Sequence, residues 1–210
     1  MPPKDAGTQT PTTPGSPSKR GLLLIISGPS GAGKTTITRA VERAFPGSVF
    51  SVSATTRPKT AADRDGVDYH FISPAEFDSR AAAGQFIETA LYAGNKYGTL
   101  RAPVETALDL GRLVILEIDV QGAMVVKDKL PDAFALFILP PSDQALLQRL
   151  RDRKREPEEA IQRRYRLAQQ EMSTARTCGV YDHFIVNDDL DRAVAQAIDA
   201  VKAKLARTGR

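Results

Sequence analysis

Short, unbroken apolar runs alternate along this chain with longer stretches in which apolar residues recur at helical spacing. The runs are Leu22–Ile26 (LLLII), Arg112–Ile118 (RLVILEI), Phe134–Leu139 (FALFIL) and His183–Val186 (HFIV). A run of this length, rich in branched residues and without polar alternation, reads as a strand covered on both faces, the mark of a parallel sheet. A further strand is expected near Ser48–Val52. Helical spacing covers Thr35–Phe45, stopped by Pro46-Gly47, and then Asp143–Leu150, Glu158–Met172 and Asp189–Leu205. Strands alternating with helices predict an α/β fold, a parallel sheet flanked by helices.

Two stretches break this rhythm. Residues 1–20 are rich in Pro, Thr, Ser and Gly with almost nothing to bury, and read as a disordered tail. Residues 53–103 are loop-rich, punctuated by Gly66, Gly84, Gly94 and Gly98, with a β-like run at Val67–Ile72 and a helix opening at Ser73-Pro74. They are expected to fold as a small inserted α+β lobe. The core is then assembled from residues 21–52, 104–142 and 173–210. No internal repeat is visible.

Composition narrows the class. The chain has 210 residues, 41% hydrophobic and 26% charged, with a net charge of +4, which suits one solvated domain with a real core. The single cysteine, Cys178, excludes a disulfide framework, and its expected role is a small buried hydrophobe. No apolar run approaches the ~20 residues of a membrane-spanning helix, and no signal-peptide pattern is present. The expected compartment is the cytoplasm, with neither membrane nor nucleic acid as partner.

The strongest motif follows the first apolar run. Gly28-Pro29-Ser30-Gly31-Ala32-Gly33-Lys34-Thr35 fits G-x-x-x-x-G-K-[ST], with a strand pattern before it and the helix pattern of Thr35–Phe45 after it, and Thr36 joins the expected nucleotide site. Its glycines let the backbone curl so that several N–H groups converge on an anion at a helix N-terminus. Lys34 is expected to reach the β- and γ-phosphates of a nucleoside triphosphate, and Thr35 to place its hydroxyl on Mg²⁺. The motif predicts a nucleoside triphosphate site and says nothing of the acceptor.

The acceptor is suggested by several motifs in one order: Ser53-Ala-Thr-Thr-Arg57-Pro58, Gly66-Val-Asp-Tyr69-His-Phe71, Gly94-Asn-Lys-Tyr97-Gly-Thr99, Glu117-Ile-Asp119-Val-Gln-Gly122 and Val186-Asn187-Asp188-Asp189-Leu190. From Leu22 to the last helix the chain resembles the guanylate kinase family. That resemblance implies a phosphate-loop fold in which residues 53–103 bind GMP and residues 143–172 form a helical lid. It implies guanine contacts from Ser53, Glu88, Thr99 and Asp119, and phosphate contacts from Arg57, Tyr69 and Tyr97. A carboxylate such as Glu88 suits guanine, whose N1–H and N2–H₂ are adjacent donors. Adenine presents a lone pair at N1, and unpaired buried polar groups reject a wrong ligand by about 10⁴-fold or more.

By the same resemblance Arg149, Arg153 and Arg164 are lid arginines, Asn187 touches the adenine side, and Glu117 and Asp119 stand at a strand's carboxyl end, where α/β sheets place ligands. A carboxylate there can hold Mg²⁺ or its waters, with Asp119 the candidate. Lys34, Arg57 and the three lid arginines form the expected catalytic set. The implied reaction is Mg²⁺-dependent transfer of the ATP γ-phosphoryl to GMP, with dGMP as a second acceptor. One departure stands out: the family pattern carries a second phosphate arginine where this chain has Thr60. Either Lys59 or Arg64 supplies the missing charge from a differently shaped loop, or GMP is bound more weakly. Two other readings are weaker. A protein-binding scaffold domain would not need an intact phosphate loop, and a kinase of ribose bisphosphates would not need guanine readers.

Overall fold

The computed structural model describes residues 20–92, 94–152 and 157–209. Most of the N-terminal tail and Arg153 therefore lie outside the described residues. The main sheet is parallel throughout and has the order β2 (Val49–Phe50), β7 (Val114–Glu117), β1 (Leu23–Ser27), β8 (Phe134–Leu139), β9 (His183–Val186). All four apolar runs are strands of this sheet. Leu23–Ser27, Val114–Glu117 and Phe134–Leu139 read as continuous because both faces are covered and successive side chains go to opposite sides, while His183–Val186 is an edge strand of which only Ile185 is buried.

One face carries Leu22, Leu24, Ile26, Ile115, Leu136 and Ile138, packed under α1 (Lys34–Ala44) and α7 (Leu190–Thr208). The buried Ala193, Ala197 and Val201 of α7 recur every four residues, one stripe of a helix. The other face carries Leu23, Ile25, Val114, Leu116 and Ala135 under α3 (Arg101–Asp109) and α4 (Val120–Lys129). A third cluster joins Phe137 and Val120 to α5 (Asp143–Asp152) and α6 (Glu158–Thr177). Each fully buried Leu, Ile or Phe contributes about 1.5–3 kcal/mol. These clusters hold the carboxyl ends of β1 and β7 in place.

Residues 54–100 supply a second, four-stranded sheet: β4 (His70–Phe71), β3 (Ala54–Thr55), β6 (Asn95–Leu100), β5 (Phe86–Tyr92). Its core is small, Ala54, Phe77 and Phe86 with Ile72 and Leu100 against them, and the Phe77 and Phe86 rings stack 4.7 Å apart. Phe77 comes from α2 (Pro74–Ala82), where Ser73 caps the Glu76 N–H at 3.1 Å and proline opens the helix. Within the β-like run at Val67–Ile72, only His70–Phe71 is strand. The Gly66 N–H donates to the Tyr69 carbonyl instead, making a turn. Five elements were not predicted by pattern: β3, β5, β6, α3 and α4, the last capped by the Asp119 side chain.

Candidate functional site

A cavity of about 330 Å³ opens where the carboxyl ends of β1 and β7 face the β5–β6 hairpin. Its floor is the glycine loop. Gly28 and Gly33 have φ of 150° and 92°, backbone that side chains rarely adopt. A Cβ at Gly33 would sit 2.3 Å from the Asn187 amide nitrogen, and one at Gly28 would sit 2.3 Å from the Ile138 carbonyl oxygen. The loop therefore lies flat on β8 and on the start of the last helix, and its upper side faces the cavity.

The loop is braced from beneath. The buried Asn187 amide donates to the Ala32 carbonyl at 2.7 Å, and Arg149 donates to the Asn187 carbonyl at 2.9 Å. Arg164, on α6, donates to the Ser30 hydroxyl. So Arg149 and Arg164 already sit on the loop, one through Asn187 and one directly. Lys34 bends back to the Pro29 carbonyl at 3.1 Å, with its ammonium on the cavity side. The Thr35 hydroxyl donates to Glu117 at 2.7 Å, which places a hydroxyl and a carboxylate side by side at the end of β7.

The opposite wall is made of side chains. Glu88 is 5% exposed, and one of its oxygens accepts both the Thr99 N–H at 3.1 Å and the Thr99 hydroxyl at 2.6 Å. No hydrogen bond among the described residues engages the other oxygen. Burial raises Glu88 to about 6, against the pull of the Thr99 hydroxyl. Thr99 thus orients Glu88, and its hydroxyl proton is already committed. Asp119 accepts the Gly122 N–H at 2.8 Å, so one of its oxygens caps α4. Ser53, Tyr69 and Tyr97 complete the wall, the two tyrosine rings edge to face at 5.7 Å. Burial pushes Tyr69 up to about 12, so it remains a phenol donor at neutral pH.

Arg57 stands behind that wall rather than in it. Its two terminal nitrogens reach the two oxygens of Asp63 at 3.0 and 2.9 Å, beside the Tyr69 and Phe71 rings. Asp63 is also held by the Thr60 N–H and hydroxyl, at 2.7 and 2.6 Å. This hydrogen bonding raises the Arg57 guanidinium and lowers the Asp63 carboxyl far below its ordinary value. Thr60, where the arginine is missing, organises the turn that holds Arg57. Arg64 pairs with Asp68 at 3.7 Å, and neither Lys59 nor Arg64 lines the cavity.

The cavity therefore unites most of the expected residues: Gly28, Ser30, Gly31, Gly33, Lys34, Thr35 and Thr36 with Ser53, Tyr69, Glu88, Tyr97, Glu117 and Asp119. Pro29, Ala32, Asn187, Arg57, Thr99, Arg149 and Arg164 support it from behind or beside. Sequence reading missed Ala90, Tyr92, Ile118 and Glu171, which also line it. The signals were present: Glu88, Ala90 and Tyr92 alternate on one strand face, and Glu171 follows Arg164 by two helical turns.

Comparison with known proteins agrees with this geometry. The family described as guanylate kinase matches residues 20–204. A guanylate kinase of Symbiobacterium thermophilum is 48% identical over 191 residues, covering 91% of this chain and 89% of that protein. A guanylate kinase of Gloeobacter violaceus is 47% identical over 193 residues, with 91% of each chain covered. Among solved structures, guanylate kinase from Anaplasma phagocytophilum superposes with a TM-score of 0.73 at 29% identity, covering 89% of this chain and 87% of that one. The fold is of the phosphate-loop nucleotide-binding type.

Proposed function

Because the chain belongs to the guanylate kinase family, we propose that it transfers the γ-phosphoryl of ATP to GMP, giving ADP and GDP. The observation that carries this reading is one cavity with Lys34 on a backbone-built anion cradle at one side and the buried Glu88 carboxylate at the other. The cradle suits the β- and γ-phosphates. Glu88 accepts from guanine N1–H and N2–H₂ through its unengaged oxygen, while Thr99 fixes its orientation. Ser53 has a hydroxyl proton to give O6, a task for which the Thr99 proton is not free.

Tyr69 and Tyr97 donate to the GMP phosphate, and Arg57 swings from Asp63 to meet it. Phosphoryl transfer asks for positioning and charge neutralisation rather than a protein nucleophile. Arg149 and Arg164, already against the loop, are placed to neutralise the transferring group when residues 143–172 close as a lid. Arg153, outside the described residues, is proposed to act with them. Closure excludes water that would otherwise hydrolyse ATP.

Mg²⁺ fits the residues present. The Thr35 hydroxyl beside Glu117, with Asp119 nearby, is an all-oxygen donor set, and this ion prefers a few protein oxygens completed by phosphates and waters. Held by the Thr35 hydroxyl with Glu117 and Asp119, the ion would supply positive charge that neutralises phosphate oxygens. No helix among the described residues is long and apolar enough to cross a membrane, and we place the reaction in the cytoplasm. A coupled ADP-release assay over GMP, AMP, UMP and ribose 1,5-bisphosphate tests the reading. GMP alone should be turned over fast, and no turnover of GMP would refute it.

A further inference from the structure

Four carboxylates line the cavity, and three have a hydrogen-bond partner within the protein. Glu88 is held by Thr99, Glu117 by Thr35, and Asp119 by the Gly122 N–H. Glu171 is different: it lines the same cavity and makes no hydrogen bond or ion pair with another of the described residues. A half-buried carboxylate without a donor is costly unless a ligand supplies one. Burial raises Glu171 to about 7, with Lys34 opposing the rise and Asp119 adding to it.

Its surroundings define the donor it lacks. Glu171 projects from α6 two turns after Arg164, which reaches the glycine loop at Ser30. Across the cavity stand Ala90 and Tyr92, which follow Glu88 on one face of β5. Inward-facing residues on a strand recur about every 7 Å. A purine whose edge meets Glu88 and whose phosphate meets Tyr69 and Tyr97 therefore lays its sugar along this stretch. Ala90, with only a methyl group, leaves room for a furanose ring. The groups a ribose presents to the side are its vicinal hydroxyls, and an ionised carboxylate can accept from both.

We propose that Glu171 is the carboxylate that binds the ribose hydroxyls of the acceptor nucleotide, making this enzyme prefer a ribonucleotide over its 2′-deoxy form. The inference rests on the GMP reading above. A hydrogen bond to a charged group is strong enough for roughly a tenfold preference.

The test is steady-state kinetics of the full chain with GMP and dGMP, for the wild type, Glu171→Ala and Glu171→Gln. The wild type should favour GMP about tenfold in kcat/KM. Glu171→Ala should lose about tenfold on GMP, mostly through KM, and stay within about twofold on dGMP, so the preference collapses. Glu171→Gln, which keeps one acceptor oxygen, should retain part of it and decides the matter if the alanine variant fails to fold. A wild type that treats both acceptors alike overturns the proposal. So does an equal loss on both acceptors, or a fall in kcat with KM for GMP unchanged, which would mean that Glu171 acts through Lys34. Turnover of neither acceptor by the wild type would bring down the parent reading together with this one.

Discussion

The two sides of the cavity bind anions and bases by opposite means. The floor is backbone: a loop whose glycines lie against β8 and Asn187, with N–H groups fixed by the fold itself. The wall is side chain: Glu88 held by Thr99, and Arg57 held by Asp63, which is held in turn by Thr60. A backbone cradle recognises phosphate whatever nucleoside carries it. A side-chain wall can be specific because each donor or acceptor lacks its match when the wrong base enters. Damage to the floor should therefore abolish turnover, and damage to the wall should change what is turned over.

The largest effect is expected on the floor. Lys34→Ala should lower kcat by about 10³-fold with the melting temperature nearly unchanged, since loss of a single electrostatic stabiliser costs 10²–10³ or more. Arg149→Ala comes next, with kcat falling about 10²-fold and both KM values moving little. Because Arg149 also holds the Asn187 carbonyl, a small loss of thermal stability should accompany it. Both are read from steady-state rates alongside thermal melts. If kcat of the arginine variant is unchanged, Arg149 is only a brace.

On the wall, Glu88 gives a pH signature. Only the ionised carboxylate accepts from guanine, and its value is about 6. KM for GMP should thus rise close to tenfold between pH 7 and pH 5, while KM for ATP stays flat over that interval. Stability has the opposite sign. Glu88 titrates higher in the folded state than its ordinary 4.5, so the folded protein binds more protons between the two values. This group's contribution to stability falls as pH rises from about 4.5 through 6, and above that it is a constant cost of about 2 kcal/mol. Glu88→Gln should therefore melt a few degrees higher at pH 7 than the wild type while binding GMP poorly.

The smallest effects concern the missing arginine. Arg64, paired to Asp68 and well exposed, should tolerate alanine with no change in KM for GMP. Lys59→Ala should raise that KM by about threefold, as expected for a solvent-screened charge. An unchanged KM in both variants would mean that Arg57, steadied by Asp63, serves the GMP phosphate without a basic partner.

The same contrast explains what could be read from sequence. Phe134–Leu139 was legible to the residue because a strand buried on both faces writes an unbroken apolar run, and His183–Val186, an edge strand with only Ile185 buried, was legible because three of its four residues are still apolar. The glycine loop was legible because a backbone site needs its special residues adjacent. The β5–β6 hairpin was not, because residues such as Glu88, Tyr97 and Thr99 face a polar cavity and erase the alternation that marks a strand. α4 was hidden for a related reason. Its capping residue, Asp119, also sits at a strand end where a ligand acid was expected, and it does the capping with one oxygen. Glu171 was missed although it lies two helical turns after Arg164, since its neighbours in the cavity come from β5 and the glycine loop, far off in the chain. The bidentate Arg57–Asp63 pair depended on a turn whose shape no local pattern specified.

The claim on which the rest turns is that Glu88, not general shape, selects the base. The most direct measurement is the ratio of kcat/KM for GMP over AMP, with Mg²⁺-ATP, in the wild type and in Glu88→Gln. The account predicts a ratio above about 10³ in the wild type and a fall of at least 10²-fold in the variant, with KM for ATP unmoved. A variant that keeps the wild-type ratio would contradict it.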